Sequence, residues 1–230
     1  MKVAVTATAD TAERIRRALD VRGLEGVVLP CVVTRPRDEG ALRRVRGLAA
    51  TVDWIVVTSA RAVRTLWPDG GMPPVPVAAV GPATAEAVAA AGGRVALVGT
   101  EGAASLLRRL EPEVGEATVL YPRPERTAAD VETTLRAAGA EVIAATVYTT
   151  LPVPPPTEPV VDAVTFASPS AVLGWRRSRT LEGLVVAALG STTAAAVKAL
   201  GHPVDVVAET PSPERLVDSL VRHLEERSIP

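Results

Sequence analysis

A stretch of 22 residues occurs twice in this chain of 230 residues, and no other feature constrains the fold as strongly. Residues 77–98 align without a gap on residues 186–207, and 12 of the 22 positions are identical. The two copies are 109 positions apart, and the same spacing pairs Ser59 with Ser168. A weaker match, shifted by 116, pairs Val3, Ala12, Leu19, Gly23 and Glu25 with Val119, Ala128, Leu135, Gly139 and Glu141. The repeat predicts two copies of one domain.

Short Val-rich runs alternate along the chain with turns rich in Ser, Thr, Gly and Pro, which lead into Ala- and Leu-rich segments typical of helices. Trp54 to Ser59 and Val185 to Thr193 are examples of such a run and turn. Strands that alternate with helices predict a parallel sheet with helices on both faces. We therefore predict an α/β fold with two similar doubly wound parallel-sheet domains of flavodoxin or Rossmann type.

The composition excludes several classes of function. A net charge of -1 and a pI near 6.2 argue against nucleic acid as a partner. Cys31 is the only cysteine, so no internal disulfide is expected, and the two histidines are too far apart in the sequence for a clustered zinc site. No apolar run approaches the length of a membrane span and no signal peptide is recognisable. We expect a cytoplasmic protein without a membrane partner.

The residues alone leave the pairing of the pieces open. The two halves could be contiguous domains. Alternatively, residues 1–33 could complete a domain with residues 153–230, around a second domain in the middle of the chain. The Pro-rich stretches from Leu151 to Pro156 and from Pro30 to Pro36 are typical of extended connectors.

No GxGxxG after a strand, Walker A, HExxH or GxSxG motif is present, which argues against redox, kinase, metalloprotease and hydrolase activities. Turns rich in Ser and Thr follow the predicted strands instead: Thr58-Ser59, Gly81 to Thr84, Gly99 to Gly102, Tyr121 to Thr127, Ala167 to Ser170, Gly190 to Thr193 and Thr210 to Ser212. In a parallel sheet these turns lie at the carboxyl ends of the strands, where ligands bind, and helix N-termini favour anions. Plain helix capping explains any single turn, but the whole set indicates a site for a polyanionic ligand.

Six segments carry a family resemblance: DWIVVTSARAV (53–63), VAAVGPATAEAV (77–88), GAEVIAATVYTT (139–150), DAVTFASPSAV (162–172), VAALGSTTAAAV (186–197) and AETPSPERLVDSL (208–220). In this order and spacing they resemble uroporphyrinogen-III synthases, over nearly the whole chain from Lys2 to about Leu224. The resemblance implies two domains joined by a two-stranded linker, with the first domain discontinuous. Domain 1 is then residues 1–33 plus 153–230, domain 2 is residues 36–146, and the linker strands are about 31–36 and 147–155.

The resemblance also implies the chemistry. Such a lyase of tetrapyrrole, porphyrin and haem biosynthesis cyclises hydroxymethylbilane, a small-molecule substrate with eight carboxylates, and releases water. The terminal pyrrole ring is inverted through a spiro intermediate, which gives uroporphyrinogen III. No cofactor and no metal are expected, and we expect a monomer.

Tyr148 is the candidate catalytic residue under this resemblance, because a phenol keeps its proton at neutral pH and could donate it to the departing hydroxyl. We place it at the end of a strand from Val142 to Val147, where alternation directs Val147 and Tyr148 to opposite faces. A linker tyrosine that only packs on its partner strand is the alternative.

The candidate substrate-binding residues are Thr58, Ser59, Arg61, Gly81, Thr84, Arg123, Arg126, Ser168, Ser170, Gly190, Thr192 and Thr193. Arg123 and Arg126 follow a strand that we expect to end at Tyr121, and solvated surface arginines are the alternative for both. Three positions depart from the pattern common in the family: Arg61 replaces Asn, Ala167 replaces Thr and Ser191 replaces Pro.

Two other functions compete with the synthase interpretation. The first is a non-catalytic module on the same fold that binds tetrapyrroles or another polyanion. The second is a sugar-phosphate enzyme on a similar fold, which would usually carry a Glu or His base beside a phosphate loop, and the turns show no such base. The isomer formed from hydroxymethylbilane would separate all three.

Overall fold

The computed structural model describes residues 1–100, 102–127 and 130–228. Ala128 of the weaker repeat match and Glu101 of the predicted turn from Gly99 to Gly102 lie outside the described residues. The strands are β1 (Lys2–Val5), β2 (Glu25–Val28), β3 (Val32–Pro36), β4 (Trp54–Val57), β5 (Pro76–Val80), β6 (Arg94–Gly99), β7 (Thr118–Pro124), β8 (Glu141–Pro152), β9 (Ala163–Phe166), β10 (Val185–Ala188) and β11 (Val206–Val207). The helices are α1 (Ala9–Val21), α2 (Glu39–Ala49), α3 (Ala60–Leu66), α4 (Pro82–Ala90), α5 (Ala103–Val114), α6 (Val131–Ala137), α7 (Pro169–Trp175), α8 (Ser191–Lys198) and α9 (Pro213–Ser228).

The chain forms two compact units. Unit 1 comprises Met1–Thr34 and Thr150–Pro230, and unit 2 comprises Arg35–Thr149. The chain leaves unit 1 through β3 and returns to it through β8, and these two strands are neighbours in one sheet. The predicted α/β class, with two parallel-sheet domains of which the first is discontinuous, is confirmed.

Unit 1 contains a parallel sheet in the order β2-β1-β9-β10-β11. Numbered along the chain within the unit, this is the order 2-1-3-4-5 of flavodoxin-like folds. Val3 and Val5 of β1 pack with α1 and α9, whereas Ala4 packs with α7 and α8 on the other face. This alternation is the two-residue period of a strand that is covered by helices on both faces.

Unit 2 contains a sheet in the order β3-β8-β7-β4-β5-β6, in which β4 to β8 pair in parallel. Ile55 and Val57 of β4 pack with α2, α3 and α4, and Val56 packs with α5 and α6. Each helix contributes a stripe of aliphatic side chains, such as Leu42 and Val45 of α2, because these residues recur at helical spacing.

The two sheets confirm the internal repeat. Read from its other edge and without β3, the sheet of unit 2 is β6-β5-β4-β7-β8, which matches β11-β10-β9-β1-β2 strand for strand. Even the register agrees, because Lys2 pairs with Glu25 in unit 1 and Thr118 pairs with Glu141 in unit 2. The chain enters the two copies at different strands, which explains why the repeat needs two different shifts.

Candidate active site

The strand order of unit 2 reverses between β4 and β7, and ligands of open α/β sheets bind outside the carboxyl ends of strands at such a point. Thr58 and Ser59 follow β4 directly, and Ser59 is the N-cap of α3, where its Oγ accepts a hydrogen bond from the Arg61 N–H at 3.1 Å. Serine is a preferred N-cap because its hydroxyl satisfies a helix N–H that has no backbone partner. The side chain of Arg61 is half-buried beside this turn.

The hydroxyl of Tyr148 meets Ser59 at this reversal point. Its Oη lies 3.2 Å from the Ser59 Oγ, and either atom can be the donor. Tyr148 itself is 7% exposed and packs among the aliphatic residues on the α2, α3 and α4 face of the sheet. The fold therefore brings the phenol of Tyr148 to the carboxyl end of β4. The sequence did not reveal this contact, because Tyr148 and Ser59 are far apart in the chain.

Two expectations about Tyr148 are wrong. The strand β8 continues to Pro152, so Tyr148 lies inside the strand rather than after it. Val147 and Tyr148 do not face opposite sides, because both belong to the same core cluster. The reason is an irregularity in the β7–β8 pairing: Arg123 pairs with Thr146, but the next residue, Pro124, pairs with Tyr148. Such a bulge inserts one extra residue and re-aims the side chains that follow it.

The positions of Arg123 and Arg126 also differ from expectation. The strand β7 extends to Pro124 rather than ending at Tyr121, so Arg123 is a strand residue and only Arg126 lies in the following turn. The prolines at positions 122 and 124 are tolerated because β7 pairs with β4 only at Val119 and Leu120, and continues beyond them beside β8 alone. Arg123 is half-buried and Arg126 is exposed.

The helices that follow these strands begin in two different ways. Ser59 and Ser168, which correspond in the repeat, cap α3 and α7 with their own hydroxyls, and Ser168 accepts from the Ala171 N–H at 3.3 Å. Gly81 and Gly190 precede α4 and α8, which receive no side-chain cap. A helix whose first N–H groups lack a side-chain acceptor can accept an anion instead.

Threonines of α4 and α8 divide into buried and exposed positions. Thr84 and Thr193 correspond in the repeat and are buried, at 5% and 3% exposure, whereas Thr192 is exposed. Ser170, in the first turn of α7, is half-buried. Thr192 therefore lies on the solvent side of α8, whereas Thr84 and Thr193 lie on the core side of their helices.

Sequence reasoning missed one polar turn at the corresponding edge of unit 1. Thr6 follows β1 and is fully buried, and its Oγ1 donates to the Thr165 carbonyl at 2.7 Å. Thr165 in turn donates its Oγ1 to the Ala4 carbonyl at 3.0 Å. These bonds join β1 to β9, where the strand order of unit 1 reverses. The signal was the pair Thr6 and Thr8 directly after the first predicted strand.

Other concave or polar features lie elsewhere. A depression of about 380 Å³ between α3 and α4 is lined by Arg64, Asp69 and Glu86 together with Trp67 and smaller apolar residues. Its two carboxylates would repel an anionic ligand. Within the described ranges, no group of three or more His, Cys, Asp or Glu side chains could hold a metal ion. No helix in that part of the chain is long and apolar enough to cross a membrane.

Comparison with known proteins gives a consistent result. The family model described as uroporphyrinogen-III synthase HemD matches residues 13–218. The chloroplastic uroporphyrinogen-III synthase of Oryza sativa subsp. japonica is 30% identical over 192 residues, which cover 75% of this chain. The chain spans 64% of the length of that rice relative.

Solved structures show the same fold. The uroporphyrinogen-III synthetase of Helicobacter pylori superposes with a TM-score of 0.68 at 16% identity, over 96% of this chain and 98% of that one. A mutant uroporphyrinogen III synthase of the extremely thermophilic bacterium Thermus thermophilus gives a TM-score of 0.60 at 18% identity, over 98% and 99%. Because the family model matches most of the residues, this chain belongs to the uroporphyrinogen-III synthase family.

Proposed function

We propose that the protein converts hydroxymethylbilane into uroporphyrinogen III and water without a cofactor, as a lyase of tetrapyrrole biosynthesis. The observation that carries this proposal is the Tyr148 hydroxyl, held 3.2 Å from Ser59 at the carboxyl end of β4. A protonated phenol at such a point can act as a general acid. Membership of the synthase family supports the choice of substrate.

The reaction begins when the Tyr148 phenol donates its proton to the hydroxyl of the substrate, which departs as water. The pyrrole nitrogen supplies the electron pair, and an electrophilic azafulvene remains. The terminal pyrrole attacks through its substituted carbon to give a spiro intermediate, which fragments and rejoins with that ring inverted. The proton lost when the ring closes restores the phenol, so the protons balance over the cycle.

Binding of the eight carboxylates is assigned to the turns at the carboxyl ends of the strands. In unit 2 the proposed backbone donors lie at the N-terminus of α4, which follows Gly81. In unit 1 they lie at the N-terminus of α8, which follows Gly190 and carries the exposed Thr192. An anion at a helix N-terminus typically gains about 0.3–1 kcal/mol. Several such contacts would hold the substrate without a dense cluster of cations.

Control of geometry is the main task of this enzyme. The same substrate closes without a catalyst to the uninverted isomer, so the protein has to orient the terminal ring before closure occurs. Little acid–base machinery is needed for that purpose. This agrees with a site that offers one phenol, a few hydroxyls and backbone N–H groups.

Incubation of the purified protein with freshly prepared hydroxymethylbilane tests the proposal. The products are oxidised to porphyrins and the isomers are separated by chromatography, with heat-denatured protein as the control. We expect the type III isomer, formed faster than the spontaneous reaction. Exclusive formation of the uninverted isomer at the spontaneous rate would contradict the proposal, and tight binding of the substrate under those conditions would identify a non-catalytic binding module.

The monomeric state and cytoplasmic location expected from the sequence are part of the same proposal. Size-exclusion chromatography with light scattering measures the mass of the particle, for which one chain is 23.9 kDa. A fluorescent fusion in the source cell tests the location.

A further inference from the structure

Four hydrogen bonds lie where the end of β7 meets Tyr148 and Thr149, and one of them reaches the Tyr148 backbone. The Glu125 N–H donates to the Tyr148 carbonyl at 2.9 Å. The Glu125 carboxylate accepts from the Thr149 Oγ1 at 2.7 Å. Arg123 closes the arrangement with its Nη1, which donates to the carbonyls of Pro124 and Glu125, each at 3.2 Å. One glutamate thus contacts the tyrosine and the residue that follows it.

This arrangement coincides with the bulge in β8. Regular pairing with β7 ends at Thr146 and resumes at Tyr148, so Val147 is the extra residue of the bulge. A bulged residue interrupts the ladder of backbone hydrogen bonds, so the direction of the next side chain depends on other contacts. Residues 125 and 149 supply such contacts directly after the interruption.

The guanidinium of Arg123 bonds to the backbone that follows it in the chain. Its Nε is buried and has no hydrogen-bond partner within the described part of the chain, while its Nη1 is bound to two carbonyls. These contacts indicate a side chain that shapes the end of β7, rather than one that reaches outward for a carboxylate. The conformation of residue 125 therefore depends on Arg123 from one side and on Thr149 from the other.

We propose that Glu125 is a positioning residue for Tyr148, and that it holds the phenol beside Ser59 in the direction that proton donation requires. This inference rests on the proposed function, in which Tyr148 is the acid. A group misplaced by about 1 Å can lower a rate by as much as about 100-fold. A carboxylate that contacts no substrate can thereby govern turnover.

The kinetic test compares Glu125→Ala with Glu125→Gln, each in the parent chain and in the Tyr148→Phe background, with hydroxymethylbilane as substrate. Glu125→Ala should lower kcat about tenfold and leave KM within about twofold. Glu125→Gln should recover most of kcat, because its amide oxygen still accepts from Thr149. In the Phe background, Glu125→Ala should have no further effect.

Glu141→Ala is the matched control, because Glu141 is an exposed glutamate at the other end of β8. It should leave kcat unchanged. An equal loss of kcat from Glu125→Ala in both backgrounds would overturn the inference, because Glu125 would then act independently of the phenol. If Tyr148→Phe slows turnover but Glu125→Ala does not, the inference fails and the proposed function stands.

A spectroscopic test does not depend on turnover. The chain has only two tyrosines, Tyr121 and Tyr148, so labelling of the tyrosine Cζ with ¹³C gives two resonances that Tyr148→Phe assigns. Glu125→Ala should shift or broaden the Tyr148 resonance and leave that of Tyr121 in place. An unchanged Tyr148 resonance would overturn the inference, whether or not the protein turns over hydroxymethylbilane.

Discussion

The hydroxyl oxygens of Tyr148 and Ser59 lie 3.2 Å apart, although 89 residues separate the two in the chain. A serine hydroxyl has one donor and two acceptor sites. In Ser59 one acceptor site is already used by the Arg61 N–H of α3. If the serine proton points to the phenol oxygen, the phenol proton is free for another acceptor, which is the arrangement that an acid needs.

Ser59→Ala should therefore have two separable effects. Loss of the N-cap of α3 should lower the free energy of unfolding by about 1 kcal/mol. Loss of the contact with Tyr148 should also lower kcat, beyond any decrease in the folded fraction. Urea unfolding measures the first effect, and steady-state kinetics on the folded protein measure the second.

Asp38→Ala is the control for the loss of stability that removal of an N-cap causes. Asp38 caps α2 in the same unit by accepting from the Ala41 N–H at 2.9 Å. Its loss should cost a similar free energy of unfolding and leave kcat unchanged. If both variants lose activity only in proportion to their unfolded fraction, Ser59 is a cap and has no part in the reaction.

Tyr148→Phe should keep the fold and much of the substrate affinity, and should slow turnover by at least about tenfold, a smaller effect than the roughly 100- to 10,000-fold typical of general acid catalysis. The electron pair of the pyrrole nitrogen already assists departure of the hydroxyl. The acid therefore lowers the barrier less than it would for a substrate without such assistance. More uninverted isomer should appear, because substrate that reacts slowly closes by itself. Rate measurements combined with isomer analysis test both points.

The second tyrosine provides the matched control. Tyr121 is fully buried, and its hydroxyl has no hydrogen-bond partner in the described residues. Tyr121→Phe should keep the parent turnover and should not lower stability, because a buried hydroxyl without a partner is unfavourable. Parent-like rates and pure type III product from Tyr148→Phe would assign catalysis to geometry and backbone donors alone.

Activity should survive exhaustive chelation. The described residues contain no cluster of three or more metal-ligating side chains, which motivates this prediction. Turnover is measured before and after treatment with chelator, and again after single metals are added back. Loss of turnover that one specific metal restores would contradict a metal-free mechanism.

The two-domain α/β fold could be predicted from the sequence because the two copies of the sequence repeat form the same order of strands. Ser59 and Ser168, matched without a gap, each cap a helix with their side chain, and the matched Gly81 and Gly190 each precede a helix without a side-chain cap. The geometry of the site could not be predicted in the same way. No residue type near Tyr148 indicates the bulge that precedes it. The bulge turns the Tyr148 side chain to the face opposite to the one that strict strand alternation predicts.

Cys31 should react with thiol reagents only when unit 1 unfolds. Burial raises the pKa of its thiol to about 12, well above the value of about 8.5 of a free cysteine. The raised pKa means that the folded state favours the neutral thiol, so this contribution to stability is present below about pH 8.5 and is lost as the pH approaches 12. At pH 8 a disulfide reagent should label the protein in urea but not in buffer; rapid labelling of the folded protein would show that the thiol is accessible.

Gly174 of α7 packs closely against the two backbone segments at Cys31 and Val153, and a substitution there tests how tight this packing is. A Cβ at this position in α7 would clash with the Cys31 carbonyl oxygen and would lie 2.5 Å from that of Val153. These backbone segments are joined by a hydrogen bond of 2.9 Å from the Val153 N–H to the Cys31 carbonyl, so neither can move without disturbing the other. Overpacking of this kind typically costs about 1–3 kcal/mol, and rigid backbone neighbours place Gly174→Ala at the upper end of that range or beyond.

Gly47→Ala is the matched helical control, because Gly47 lies in α2 and nothing is within 4 Å of an added Cβ. That substitution should raise the free energy of unfolding by roughly 0.5–1 kcal/mol, since alanine loses less conformational freedom in a helix than glycine does. Urea unfolding of both variants measures the two changes, which should have opposite signs. Equal stabilisation by both substitutions would mean that α7 can move away from residues 31 and 153 at little cost, and that the close packing around Gly174 is not needed for the fold of unit 1.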